Sequence, residues 1–292
     1  MPWIQFQLEV SAGQVERLSD QLSEAGAVAV TLLDATDQPL FEPPPGETPL
    51  WSRTRVNALF PMASDPDTLL QELKQDWAPE SFPSYRWEIL ADQNWERAWM
   101  DHFKPLRFGS QLWVCPSWLP PPEPEAVNLL LDPGLAFGTG THPTTALCLE
   151  WLTNANLNQA RIIDYGCGSG ILAIAALKLG ATAAVAVDHD PQALLATQEN
   201  ATHNGVISQL QVSSPSELIE IKADFLVANI LAEPLLRLAS LFARLTYPGA
   251  YLILSGITSD QIQQILQTYN NWFTFNTPMI KENWVLLAGH RR

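Results

Sequence analysis

The chain is short of cysteine and of basic residues, and it has no long apolar run. Only Cys115, Cys148 and Cys167 occur among 292 residues. Three is an odd count and no C-x-x-C pair exists, so neither a disulfide framework nor a zinc site is expected. The five histidines do not fall at ligand spacing either, and no metal is expected. Unpaired thiols suit a reducing compartment, which predicts a cytoplasmic location. No apolar stretch approaches the roughly 20 residues that span a bilayer, so no membrane partner is expected. The opening Met1-Pro2-Trp3-Ile4-Gln5 lacks the basic and apolar regions of a secretory signal.

Sixteen Lys and Arg face 31 Asp and Glu, a net charge of −15. The cations are scattered, and phosphate binding draws its affinity from clustered cations, so no direct nucleic-acid contact is expected. Residues 1–100 hold 16 acids against 6 bases. An acidic surface of that kind can steer a basic protein partner. With 47% hydrophobic residues, the chain can bury the cores of two medium domains.

Residues 1–92 read as strand, helix, strand, strand, helix, strand. The strands are Trp3–Val10, Ala27–Leu33, Arg55–Phe60 and Tyr85–Leu90; the helices are Ser11–Ala25 and Asp65–Trp77. The order predicts a small α+β ferredoxin-like domain for recognition. Residues 93–104 read as a linker helix. Leu106–Pro116 is strand-like, and Trp118 to Glu125 is an extended proline-rich surface segment. From Arg161 onward strands and helices alternate, which predicts a doubly wound α/β sheet across the second domain, residues 105–292. Trp272–Asn276 and Trp284–Ala288 read as a closing strand pair.

Within that domain, Ile162-Ile163-Asp164 leads into Tyr165-Gly166-Cys167-Gly168-Ser169-Gly170. An Ala/Leu-rich helix follows. Glycine admits a ligand close to the backbone, and a helix start leaves N–H groups unpaired. The spacing is G-x-G-x-G, and Ile171 stands where a dinucleotide fingerprint needs its last glycine, which speaks against a nicotinamide oxidoreductase. The next strand, Ala183–Val187, ends in Asp188, placed to accept hydrogen bonds from two ribose hydroxyls.

Two further pieces complete the candidate site. Asp132 to Thr145 holds three glycines and four threonines ahead of a helix, a costly composition to keep ordered. It reads as a lid, with Phe137 over an apolar part of a ligand and Thr144 or Thr145 at its charged end. His142 in that loop reads as structural rather than catalytic. Asn229 ends the fourth strand, where its carbonyl oxygen can accept from an amine and aim the nitrogen lone pair.

The combination D-x-G-x-G-x-G with an acid at the second strand tip resembles the class I methyltransferases, with their Rossmann-like sheet and S-adenosylmethionine site. More closely, Leu131–Thr145, Asp164–Gly170, Asp188-His189-Asp190-Pro191 and Asn229-Ile230-Leu231 resemble the bacterial methyltransferases that modify ribosomal protein eleven of the large subunit. Met1–Gln5 and the Phe41-Glu42-Pro43 and Trp95-Glu96 neighbourhoods extend that resemblance over nearly the whole chain. It implies transfer of methyl groups from S-adenosylmethionine to lysine ε-amines and the N-terminal α-amine of that protein. It also implies that Thr145, Gly166, Asp188 and Asn229 contact the cofactor, beside Phe137, Thr144, Asp164, Gly168 and Gly170 of the loops. A substrate entering between domains suggests a monomer. The rival readings are a methyltransferase acting on another protein amine or amide, and a binding module without catalysis.

Overall fold

The computed structural model describes residues 2–36, 38, 49–75, 77, 81–91, 103–132, 140–218 and 221–292. The chain divides into two compact units, Met1–Met100 and Asp101–Arg292. Most of the expected linker helix and half of the expected lid, Phe137 included, lie outside the described residues.

The first unit carries β1 (Trp3–Ser11), α1 (Val15–Glu24), β2 (Ala29–Asp34), β3 (Arg53–Pro61), α2 (Pro66–Gln75) and β4 (Ser84–Leu90). All pairings are antiparallel, in the order β2-β3-β1-β4. Alternation along β1 turns Ile4, Phe6, Leu8 and Val10 inward, level with Val56, Ala58 and Phe60 of β3. Helix spacing sends Val15, Leu18 and Leu22 of α1 and Leu69 and Leu73 of α2 into the same core. Each buried Leu or Phe there contributes about 2 kcal/mol. The first helix starts later than its sequence pattern suggests. Residues Ala12–Gln14 form a 3₁₀ turn, capped reciprocally by Ser11 and Gln14.

The second unit opens with a small sheet of β5 (Leu106–Phe108), β6 (Leu112–Cys115) and β7 (Val127–Leu130). The single strand expected over Leu106–Pro116 is in fact a hairpin. Gly109 turns it at a φ of 57°, which a β-carbon would resist. The proline-rich segment folds into turns closed by Leu119 N–H to Pro116 O and Ala126 N–H to Glu123 O, rather than extending. β7 is short and follows those turns, so period-two patterning had too few residues to announce it.

The main sheet contains β8 (Arg161–Tyr165), β9 (Ala183–Val187), β10 (Leu210–Ser213), β11 (Ala223–Asn229), β12 (Thr246–Thr258), β13 (Phe273–Phe275), β14 (Met279–Lys281) and β15 (Trp284–Arg291). The spatial order is β10-β9-β8-β11-β12-β15-β13, with β14 beside β15. The pairings from β10 to β12 are parallel, and β15 runs antiparallel. The closing pair is therefore three strands, the extra one being Met279–Lys281. The order reverses between β8 and β11, and open α/β sheets hold their ligands at such a switch point, beyond the carboxyl ends of the strands.

Five helices flank this sheet among the described residues: α3 (Pro143–Asn154), α4 (Ile171–Lys178), α5 (Pro191–His203), α6 (Ala232–Arg244) and α7 (Ile262–Tyr269). Ile162 and Ile163 show why the central strands are apolar throughout. Ile162 packs into the cluster with α3 and α4, whereas Ile163 packs into the opposite one with α6 and α7. A strand covered on both faces needs no polar alternation. No described helix is long and apolar enough to cross a membrane.

Candidate active site

The glycine loop follows β8 directly. Gly166, Gly168 and Gly170 have φ values of 80°, 54° and 77°, a region that costs other residues about 1–2 kcal/mol each. The turn is anchored by the Gly166 and Cys167 N–H groups, which donate to Val187 O at 2.7 and 3.1 Å. Asp164, almost fully buried, accepts from Ala173 N–H through Oδ2 at 3.0 Å. That bond reaches the first turn of α4, where a carboxylate opposes the positive end of the helix dipole. Asp164 Oδ1 has no donor among the described residues. Burial pushes the carboxyl up to about 7, offset in part by the Ala173 bond and reinforced by the charge of Asp188.

Asp188 stands just past β9. It accepts from Gly168 N–H at 3.0 Å and from Asp190 N–H at 3.0 Å, one through each oxygen. The strand tip is thereby tied across to the glycine loop. Asp190 in turn caps α5 by accepting from Gln192 N–H at 2.9 Å, with Pro191 at the first helical position.

Two residues that sequence reasoning missed hold the loop from α5. Thr197 Oγ1 donates to Gly168 O at 3.0 Å, and Asn200 Nδ2 donates to Ser169 O at 2.9 Å. Their i, i+3 spacing placed both on one helix face. Only the loop's position beside that face gives the spacing a meaning.

The third part lies across β11 and α3. Asn229 Nδ2 donates to Thr145 Oγ1 at 3.2 Å. With one amide hydrogen directed to Thr145, the Asn229 carbonyl oxygen is available to accept from a ligand. Thr144 and Thr145 are buried in the first turn of α3. His142 is the N-cap of that helix. Its Nδ1 accepts from Thr144 N–H at 3.4 Å and lies 2.8 Å from Thr144 Oγ1. The imidazole also meets the Trp284 ring edge-on at 4.9 Å between centroids. Burial lowers its pKa, against a smaller opposing effect of Glu282. These contacts give His142 a structural task.

The structure thus joins Gly168 to Asp188 and Thr145 to Asn229 by direct hydrogen bonds, with Asp164, Gly166 and Gly170 on the same strand-to-helix turn as Gly168. No cluster of three or more His, Cys, Asp or Glu side chains suited to a metal is found among the described residues.

Residues 2–292 match the family model described as ribosomal protein L11 methyltransferase (PrmA). The chain belongs to that family. Its relatives include the ribosomal protein L11 methyltransferase of Marinobacter nauticus, 50% identical over 100% of this chain and 99% of that protein. The protein of the same name from Pseudomonas paraeruginosa is 52% identical, again over 100% and 99%. Among solved structures, the ribosomal protein L11 methylase of Lactobacillus delbrueckii subsp. bulgaricus aligns with a TM-score of 0.59 and 33% identity. It covers 65% of this chain, which spans 98% of that one. The family is a class I methyltransferase family, in agreement with the doubly wound sheet.

Proposed function

We propose that the protein transfers methyl groups from S-adenosylmethionine to lysine ε-amines and the N-terminal α-amine of ribosomal protein L11. The observation that carries the chemistry is the bond from Asn229 Nδ2 to Thr145 Oγ1. It fixes the amide so that Oδ1 can hold an amine hydrogen and aim the nitrogen. The substrate follows from full-length relatives named for that activity.

The residues fit the cofactor on their own chemistry. The orphan Asp164 Oδ1 suits an ammonium group. The three positive-φ glycines let the loop turn tightly against Ile230 and Thr197, which fill the space beside Gly166 and Gly170, and add no side chain of their own on the side an adenosyl ligand would approach. Asp188 retains lone pairs for ribose hydroxyls beside its two backbone bonds. In this reading Thr144, Thr145, Asp164, Gly166, Gly168, Gly170, Asp188 and Asn229 bind the cofactor, Phe137 covers it, and Asn229 is the catalytic residue. When bound, the cofactor supplies a sulfonium-activated methyl group.

What remains for the protein is alignment, worth several orders of magnitude in rate. A lysine amine attacks only when neutral, and its reference pKa is about 10.4. The proton leaves to bulk water before the amine docks, and desolvation on docking selects for the neutral form. No general base is required, and His142 stays committed to its cap. Residues 1–92 hold the substrate, joined through 93–104 to the catalytic residues 105–292. The acidic balance of the first hundred residues suits a basic ribosomal protein better than RNA. The chain acts as a monomer in the cytoplasm, where its buried thiols stay reduced.

The test incubates total ribosomal proteins and ribosomal RNA with the full chain and methyl-labelled S-adenosylmethionine. Label confined to L11 is expected. Label in RNA, or in other proteins but not L11, contradicts the reading.

A further inference from the structure

Ile230, the residue after Asn229, is held between two glycines from different parts of the site. A β-carbon on Gly166 of the cofactor loop would lie 2.2 Å from Ile230 Cγ2. A β-carbon on Gly256 would lie 2.3 Å from the Ile230 carbonyl oxygen, 2.7 Å from its carbon and 2.9 Å from its nitrogen. Contacts under 3.0 Å force something to move. The side chain of Ile230 therefore occupies the space that glycine leaves at 166, and its main chain occupies the space left at 256. Gly256 sits where β12 changes register against β15, between Leu254 and Ile257. It follows Ser255, the register partner of Asn229 in β12. Ser255 is pinned in turn by its hydroxyl, which donates to Val285 O at 2.9 Å.

We propose that Ile230 is a positioning residue, clamped between Gly166 and Gly256, which sets the angle of Asn229 and ties it to the cofactor loop. The inference rests on the methyl-transfer reading above. Thr145 holds the tip of the Asn229 side chain, and the clamp holds its backbone. The glycine loop, whose residues would hold the cofactor, thus packs against the same isoleucine that follows the acceptor-aligning residue. Nucleophile alignment tolerates little displacement: a shift of about 1 Å can cost about 100-fold in rate.

The two contacts differ in kind, and the difference gives the test. Gly166 faces a removable methyl of Ile230, whereas Gly256 faces its backbone. Gly249, also on β12, has a φ of 83° against 84° for Gly256, with nothing within 4 Å of its missing β-carbon. Gly249→Ala thus carries the same backbone strain without the contact. The experiment measures single-turnover methyl transfer to L11 at saturating S-adenosylmethionine, with cofactor Kd from calorimetry, all in the full chain.

Gly256→Ala should lower the single-turnover rate about 100-fold while cofactor Kd stays within about threefold. Gly249→Ala should stay within about twofold of the parent in both. Ile230→Val keeps Cγ2 and should retain the rate; Ile230→Leu keeps the volume but loses the β-branch and should lose about 10-fold. Gly166→Ala should weaken cofactor binding, and adding Ile230→Ala should restore part of it. The same addition should not restore Gly256→Ala. Equal rates for Gly256→Ala and Gly249→Ala would overturn the proposal. So would a parental rate in Ile230→Leu, or rescue of Gly256→Ala by Ile230→Ala. If Gly256→Ala fails to fold, the Val and Leu pair decides the matter. Absence of transfer by the parent chain would sink the methyl-transfer reading instead, and rescue of cofactor affinity in the Gly166/Ile230 pair would still test the clamp.

Discussion

Asp164→Asn should remove a specific part of the pH dependence of stability. The carboxyl is almost fully exposure-free, accepts a single N–H bond through Oδ2, and has its pKa pushed up to about 7, mainly by burial. An unfolded aspartate titrates near about 3.9. Between roughly pH 4 and pH 7, then, the unfolded chain has released this proton and the folded chain still holds it. Folding stability therefore falls as pH rises through that window, by about 1.4 kcal/mol per unit, and levels off above it. The whole window amounts to about 4 kcal/mol as an upper bound. From about pH 5.5 to pH 8, above the isoelectric region, about 2 kcal/mol should be lost. The Asn variant keeps an acceptor for Ala173 and has no charge to bury. Urea denaturation of parent and variant without cofactor, compared at the two pH values, reads the difference directly. The variant should gain about 2 kcal/mol on the parent as pH rises. Its cofactor affinity should fall at the same time, because the orphan oxygen is replaced by a donor. An identical pH dependence in the two proteins would refute the reasoning about this buried carboxylate.

Three other substitutions separate the remaining roles. Asn229→Ala should lower the methyl-transfer rate about 100-fold with an unchanged melting midpoint; an unchanged rate removes Asn229 from the mechanism. Asp188→Ala should weaken cofactor binding about 10- to 100-fold by calorimetry, the cost of losing hydrogen bonds to a charged group. His142→Ala should cost about 1 kcal/mol of stability through the lost N-cap, measured by urea denaturation. The pH–rate profile of that variant should keep every limb of the parental one, since a vanished limb would make His142 a general base.

The parts of the site visible in the sequence share one property: each is local. Asp164 and its glycines announce a strand, a turn and a helix within a few residues, and Asp188 ends the next strand. Asn229 could be placed at the switch because the alternation of strands and helices set its strand as the fourth. Partners brought together by tertiary packing were invisible. Thr197 and Asn200 look like ordinary polar helix positions until α5 lies against the loop carbonyls. Gly256 looks like a strand glycine until the backbone of Ile230 crosses it. The same limit explains the errors in the fold. The hairpin at Gly109 and the extra strand Met279–Lys281 involve segments of three or four residues, too short for a period of two to register. The first unit was legible as a whole because its long strands alternate cleanly and its two helices each show one apolar face.

Whether this site methylates amines of L11 is decided by intact-mass and tandem mass spectrometry of purified L11. L11 is incubated with the full chain and S-adenosylmethionine, beside a reaction containing the Asn229→Ala variant. Mass gains in whole methyl increments are expected, mapped to lysine side chains and the N-terminal amine and strongly reduced with the variant. Cofactor binding by the full chain with no gain of mass on L11 would contradict L11 methylation at this site.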